Sequence, residues 1–157
     1  MSTTAPQLAQ QLVVFSLGDE EYALPITQVQ EIIRYTRPRT VPAAAAMVSG
    51  VINLRSRVIR VCDLGQALGL APEITGEDEA GDHRKIVILE TAHGAVGLVV
   101  DDVDKVMTID DDDIDTNRAA DAPFIDGIAK IGDELFVLLA PDELVQAFGL
   151  SPDALAA

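Results

Sequence analysis

The chain has 157 residues, 48% of them hydrophobic, and a formal net charge of −15 at pH 7. A chain of this size can bury one sizeable core or two small cores packed together. Its acidity disfavours nucleic acid as a partner, because nonspecific binding to nucleic acid rests on cationic contacts to phosphates. Since no apolar run reaches the ~18–20 residues of a membrane-spanning helix, membrane insertion is not expected either.

The N-terminus and the cysteine content bear on the compartment. Residues 1–11 are small and polar, which predicts a flexible tail. The N-terminus lacks the basic segment followed by an apolar segment that is typical of a secretory signal, so no such signal is expected. Cys62 is the only cysteine, so an intrachain disulfide is excluded and a reducing compartment is favoured. These features predict a cytoplasmic protein.

The first half predicts two strand pairs. Leu12–Leu17 and Tyr22–Leu24 are β-rich runs around a short turn, and Gly50–Leu54 and Val58–Cys62 flank a second turn. The segment between the pairs is less regular. Apolar residues spaced i, i+3, i+6 and i+7 over 26–33 predict one or two helical turns before the chain extends again, while 43–48 fits either a helical turn or a buried loop.

After the second pair, Asp63 can cap a short helix that ends near Gly69. Residues 73–82 contain five acids, two glycines and no strong apolar run, so a flexible joint is predicted at 73–84. A closing helix begins at Pro141, with two acids in its first turn. Between the joint and this helix the predicted strands are Ile86–Leu89, Ala95–Val100, Gly127–Ile131 and Leu135–Leu139.

The sequence is an internal repeat. Gly50–Leu70 returns as Gly127–Leu150, with the apolar positions of the strands 77 residues apart, and Val13–Ile33 matches Val87–Met107 with a shift of 74. One supersecondary unit written twice predicts two small, similar lobes that share a core, with repeat halves at about 12–72 and 85–149. The short, regularly spaced strands favour barrels over a sandwich of long strands, so the fold class is mainly β.

Charge is unevenly placed along the chain. Residues 1–72 carry six arginines and five acids, whereas residues 73–157 carry five basic residues and 21 acids. The acidic half is typical of solvated loops that aid solubility. Alternatively, the six arginines mark a surface that faces a partner: Arg34, Arg37, Arg39, Arg55, Arg57 and Arg60.

Catalytic and metal-binding motifs are absent from the sequence. It has no glycine-rich phosphate loop and no nucleophile elbow, and one cysteine with two histidines cannot build a zinc site. The run Asp110–Asp115 suggests a calcium site. However, an EF-hand loop that starts at Asp110 needs glycine at its sixth position and glutamate at its twelfth, where this chain has Asp115 and Asp121. We therefore expect no catalytic residue, no metal and no cofactor.

Two segments are polar where their surroundings are apolar. Glu31 lies within VQEIIR (Val29–Arg34), and Arg55 lies within NLRSR (Asn53–Arg57). From the pattern alone, these residues are either a solvated glutamate and a turn arginine or parts of a binding surface.

These segments carry a resemblance to a known family. The order LGDEEYALPITQVQEI, GVINLRSRVIRVCDL and VGLVVDDV resembles the bacterial chemotaxis coupling proteins of the CheW family over about residues 12–149. The resemblance implies a single domain over 12–149 with tails at 1–11 and 150–157. It implies two five-stranded SH3-like barrels around a shared hydrophobic core, with a few short helices. It also implies a non-catalytic adaptor between the cytoplasmic tips of methyl-accepting chemoreceptors and the regulatory domain of the histidine kinase CheA.

The resemblance also implies which residues bind. Val29, Glu31, Gly50, Asn53 and Arg55 match positions linked with receptor coupling, while Val99 and Val100 match an apolar strand beside the groove between the barrels.

The chain departs from the family pattern at two positions. Ser56 stands where the family usually has glycine, and Arg60 where it usually has proline. Ser56 fits the turn only if that turn does not require a positive φ.

Two alternative functions are an adaptor of another chemosensory system, governing surface motility or development, and an enzyme that uses the acidic cluster.

Overall fold

Eleven β-strands in two sheets form most of the structure. The computed structural model describes residues 10–40, 48–69, 84–92, 94–115 and 123–147. The strands, in chain order, are β1 Gln10–Leu17, β2 Glu20–Pro25, β3 Val29–Arg34, β4 Gly50–Leu54, β5 Arg57–Asp63, β6 Lys85–Thr91, β7 Gly94–Val100, β8 Asp102–Ile109, β9 Ile114–Asp115, β10 Ile125–Ile131 and β11 Glu134–Leu139. Two short helices are α1 Leu64–Ala67 and α2 Pro141–Ala147.

The two sheets are the walls of two SH3-like barrels, which confirms the predicted fold class. One sheet has the strand order β8-β1-β2-β11-β10-β9 and the other has the order β3-β6-β7-β5-β4. The hairpin pairs β1–β2, β4–β5, β6–β7 and β10–β11 are antiparallel, whereas β2–β11 and β5–β7 are parallel. The parallel pairs join strands that lie far apart in the sequence.

Each sheet contains strands from both copies of the repeat. The shifts of 74 and 77 residues relate β1, β2 and β3 to β6, β7 and β8, and β4 and β5 to β10 and β11. Applied to the order β3-β6-β7-β5-β4, this exchange gives β8-β1-β2-β11-β10, which is the order of the other sheet apart from β9. The copies have therefore exchanged strands, and the predicted halves 12–72 and 85–149 do not coincide with the two barrels.

Charge differs between the described parts of the two barrels. The basic barrel consists of β3–β7 with the described residues that connect them, and it has eight Lys and Arg against three Asp and Glu. The acidic barrel consists of β1, β2, β8–β11, their described connections and α2, with two Lys and Arg against sixteen Asp and Glu. All six predicted surface arginines belong to the basic barrel, where Arg84 and Lys85 join them.

Apolar side chains form three clusters. One fills the acidic barrel around Leu12 and Phe136, and one fills the basic barrel around Ile86 and Ile88. The largest contains residues from both sheets and from both helices, and it includes Phe15, Leu17, Leu24, Cys62, Leu64, Val87, Leu98, Val100, Leu144 and Val145. Burial of apolar area drives folding roughly in proportion to that area, so this shared cluster holds the barrels together.

The predicted helices α1 and α2 are present, and the helical turns predicted over 26–33 are reduced to one. The Asp63 side chain accepts a hydrogen bond from the Gln66 N–H at 3.2 Å and caps α1, and α2 begins at Pro141. Over 26–33, a 3-10 helix at Ile26–Gln28 supplies one turn, and the chain extends into strand β3 from Val29, earlier than the spacing indicates. The backbone of β3 pairs with β6, and this ladder outweighs the weak helical spacing.

Several predicted features lie outside the described residues. They are most of the tail at 1–11, where β1 already begins at Gln10, and nearly all of the joint at 73–84, together with 43–47 and the tail at 150–157. Among the described residues, no helix is long and apolar enough to cross a membrane.

Candidate partner-binding site

Glu31 and Arg55 are in direct contact. Arg55 donates two hydrogen bonds to the Glu31 carboxylate, from Nη1 to Oε2 and, at 2.8 Å, from Nη2 to Oε1. Glu31 lies on β3 and Arg55 directly follows β4, and these are the two edge strands of their sheet. A bidentate ion pair therefore links the two edges of the basic barrel.

The pair is open to solvent, with side-chain exposures of 70% for Arg55 and 23% for Glu31. Hydrogen bonding to Arg55 holds the pKa of Glu31 below its ordinary value, and the same contact raises the pKa of Arg55. Both charges are thus fixed at neutral pH and available to a partner.

The turn that carries Arg55 is strained. Leu54 pairs with Arg57, which leaves Arg55 and Ser56 as a two-residue loop. Their φ values are 52° and 69°. Positive φ at both loop residues is the type I′ pattern, whose twist matches that of the flanking strands but which favours asparagine and glycine. The turn therefore does require a positive φ, and Ser56 occupies it nonetheless.

Gly50 has a structural reason to be glycine. A Cβ at this position would lie 2.3 Å from the carbonyl oxygen of Arg39. Arg39 and Val51 exchange backbone hydrogen bonds of 2.8 and 2.9 Å, so the chain before β4 lies directly against it. Gly50 thus permits the close backbone approach on which this edge of the basic barrel is built.

The remaining predicted residues lie in different surroundings. Val29 begins β3 and packs against the shared cluster, whereas Asn53 is exposed on β4 opposite Val58. Val99 and Val100 on β7 are buried, in the basic-barrel cluster and the shared cluster respectively. These two valines are therefore part of the core and not of the surface around Glu31 and Arg55.

Exposed apolar side chains were missed by the sequence reasoning. Among the described residues, four large ones are exposed: Ile32 at 38%, Val58 at 69%, Val106 at 52% and Leu135 at 57%. Ile32 and Val106 are 74 residues apart, and Val58 and Leu135 are 77 apart. Both barrels thus expose the same two repeat positions. Strand alternation together with the repeat could have predicted these exposed positions from the sequence. Ile32 directly follows Glu31, and Val58 lies three residues after Arg55.

Reactive groups are not assembled among the described residues. No group of three or more His, Cys, Asp or Glu side chains in this part of the chain has a geometry that could hold a metal ion. Asp111–Asp113 form a 3-10 helix in the acidic barrel. Cys62 is fully buried, and burial raises the pKa of its thiol to about 12, so the nucleophilic thiolate is scarce at neutral pH.

Comparison with known proteins identifies the family. The model of the CheW-like domain matches residues 11–148. The chain is 32% identical over 114 residues to the chemotaxis protein CheW of Bacillus subtilis, which covers 73% of this chain and 70% of that protein. It is 30% identical to a probable chemotaxis protein CheW of Rhizobium etli, which covers 85% and 86% of the two chains.

A solved structure agrees with these relatives. The scaffolding protein TtCheW from Thermoanaerobacter tengcongensis is 31% identical and superimposes with a TM-score of 0.73 over 84% of this chain and 89% of that chain. The chain belongs to the CheW-like domain family. Its function is that of a chemotaxis adaptor or scaffold, in a family of non-catalytic scaffolds. Neither an acidic-cluster enzyme nor an adaptor of another system is favoured.

Proposed function

We propose that this chain couples the cytoplasmic tips of methyl-accepting chemoreceptors to the regulatory domain of the histidine kinase CheA. In this proposal it acts in the cytoplasm, is recruited to membrane-associated receptor arrays and catalyses no reaction of its own. Membership of the CheW-like family supports the adaptor role. The observation that carries the partner-binding role is the exposed, bidentate contact between Glu31 and Arg55.

The basic barrel also exposes apolar side chains, which suit a protein partner. They are Ile32 on β3 and Val58 on β5. Burying such area excludes water, and charged groups at an interface provide specificity. The six predicted surface arginines lie among the described residues of the basic barrel, so acidic side chains are expected on a partner surface that contacts them.

The other predicted residues have supporting roles in this proposal. Val29 and Asn53 contribute from the two edge strands that carry the ion pair, while Gly50 keeps one of those edges in position. Val99 and Val100 act indirectly, since β7 lies at the centre of the sheet and both side chains are buried.

Charge reversal tests the proposal. Glu31→Lys and Arg55→Glu are titrated by calorimetry against a receptor signalling-tip fragment and against the kinase regulatory domain. Each variant should bind the receptor fragment at least about tenfold more weakly, because one partner charge is left unpaired at the interface. Folding should be nearly unchanged, since exposed ion pairs contribute little to stability.

The acidic barrel supplies a matched control. Lys105 is the repeat equivalent of Glu31, and it forms an exposed ion pair with Glu134 at 3.6 Å. Lys105→Glu should leave receptor binding unchanged. The double variant Glu31→Arg, Arg55→Glu restores an ion pair with exchanged signs. Recovery of receptor binding in this variant would show that the pair shapes the surface locally and that its charges do not contact the receptor. Parent-like binding by both single variants would place the receptor site elsewhere.

A further inference from the structure

The turn between β4 and β5 differs from its counterpart in the same molecule. By the 77-residue repeat, Arg55 and Ser56 correspond to Gly132 and Asp133 in the turn between β10 and β11. Gly132 has a φ of 60° and Asp133 is not in the positive region, as expected of the II′ pattern. Among the described residues, Arg55 and Ser56 are the only non-glycine residues with a positive φ.

The strain is not a requirement of the fold. The turn between β10 and β11 connects equivalent strands in an equivalent sheet, and a glycine takes its positive φ without steric cost. Strain of this kind persists only where surrounding structure enforces it, and it clusters at functional sites. In the basic barrel the strained turn holds Arg55, and Arg55 is bound to Glu31 on the far edge of the sheet.

The two loop positions have different tasks. Arg55 supplies the guanidinium group. The hydroxyl of Ser56 makes no hydrogen bond to the residues that the structure describes, but the Cβ of Ser56 confines its backbone to the small left-handed region once the turn has formed. A glycine at this position would relieve the strain, yet it would also give the turn a much broader range of conformations.

We propose that Ser56 is a positioning residue, which narrows the turn so that Arg55 is held on Glu31 before a partner arrives. Holding a side chain in its bound conformation lowers the entropy cost of association. The strained turn therefore lowers folding stability, while it preorganises the site around Arg55 and Glu31. The part of this inference that concerns partner affinity rests on the proposed function, whereas the part that concerns Arg55 and Glu31 does not.

Two substitutions separate strain from positioning. Ser56→Asn relieves strain but keeps a restricted backbone, because asparagine favours the left-handed region. Ser56→Gly relieves strain and frees the turn. Both should raise the melting temperature by about 2–4 °C, the shift expected for a gain of about 1 kcal/mol in a chain of this size.

The decisive measurement is the pKa of Glu31, read by NMR from the pH dependence of its side-chain carboxyl signal. Within the described part of the chain, Arg55 is the charged group that lowers the pKa of Glu31, through its hydrogen bonds and its charge. Arg55→Ala provides the value without the contact. Ser56→Gly should move the pKa at least halfway towards that value, and Ser56→Asn should leave it as in the parent.

Receptor-fragment affinity gives the second readout. Ser56→Gly should bind about 3- to 10-fold more weakly than the parent, the factor expected for losing the immobilisation of one flexible side chain, whereas Ser56→Asn should bind like the parent. A Ser56→Gly protein whose Glu31 pKa stays as low as in the parent would overturn the positioning role. If the Glu31 pKa rises in Ser56→Gly but receptor affinity does not change, Ser56 positions Arg55 without a contribution to binding. The proposed function is contradicted separately if Arg55→Glu binds the receptor fragment like the parent.

Discussion

Asp142 in α2 accepts a hydrogen bond from the backbone N–H of Ala92, with 2.8 Å between Ala92 N and Asp142 Oδ1. Ala92 lies in the turn between β6 and β7 of the basic barrel, whereas α2 follows the last strand of the acidic barrel. The same oxygen lies 3.4 Å from Nε2 of Gln28, just before β3. One carboxylate thus fastens α2 to the basic barrel at Ala92 and to the segment that leads into β3 at Gln28.

Replacing this carboxylate should loosen the helix. Asp142→Ala is expected to lower the free energy of unfolding by about 1 kcal/mol more than Glu143→Ala, because hydrogen bonds to a charged group are lost only in the first variant. Both substitutions remove one acid from the first turn of α2, so the helix-dipole contribution cancels in the comparison. Urea denaturation of the two variants measures the difference. Equal losses would show that the contacts of Asp142 do not stabilise the fold.

Gly50→Ala should be strongly destabilising. A Cβ placed 2.3 Å from the Arg39 carbonyl oxygen forces backbone to move, and overpacking of this kind costs about 1–3 kcal/mol. Gly65→Ala is the matched control, since a Cβ in α1 would meet ordinary contacts at 3.7 and 3.8 Å. That control should be neutral or stabilising because alanine favours helix. Thermal melts of both variants suffice, and equal melting temperatures would disprove the close approach at Gly50.

Cys62 should react with thiol reagents only after unfolding. Its side chain is fully buried and its pKa is raised to about 12, so the native protein at pH 8 presents almost no accessible thiolate. Ellman's reagent should label the native protein at the rate of global unfolding and the denatured protein at once. Rapid stoichiometric labelling in native buffer would contradict this expectation.

The same thiol should make stability depend on alkaline pH. Its pKa in the unfolded chain is about 8.5, well below the folded value of about 12. The contribution is therefore complete below about pH 8.5, and it is lost as pH rises towards 12, because the unfolded state releases its proton first. The slope is at most about 1.4 kcal/mol per pH unit. Cys62→Ala should lack this component of the slope when denaturation is compared at pH 8 and pH 10.

Strand exchange predicts the behaviour of the two sequence halves. Fragments 1–78 and 79–157 should each lack a cooperative thermal transition, because each contains only part of both sheets. Mixed or co-expressed, they should assemble into a folded complex with a cooperative melt, since all strands of both barrels are then present. A cooperative thermal transition of either fragment alone would contradict this prediction.

Local features were accessible from the sequence because their causes are local. Asp63 caps the helix that it precedes, Pro141 begins the next one, and the strand pairs are joined by tight turns at the predicted places. The repeat correctly indicated two similar structures with a shared core. It did not reveal that the copies exchange strands, because the pairing of β2 with β11 and of β5 with β7 is decided by tertiary packing.

Part of the candidate site could be predicted from the sequence. Glu31 and Arg55 stood out as charges in apolar segments, and the structure joins them across 24 residues of sequence. The strand at Val29–Arg34 was missed because its apolar spacing also fits a helix, and a neighbouring strand decided between the two. The positive φ of Ser56 could not be predicted, since serine seldom adopts it. The binding roles of the site residues stay predictions.

The uneven placement of charge among the described residues acts at short range. At physiological ionic strength, charges are screened beyond about 8 Å, so the net charge of −15 matters little to a partner further away. Inside that range, an acidic surface is attracted where the arginines of the basic barrel lie and repelled by the carboxylates of the acidic barrel. The orientation of such a surface is therefore expected to be set close to contact, by local charges and not by the net charge.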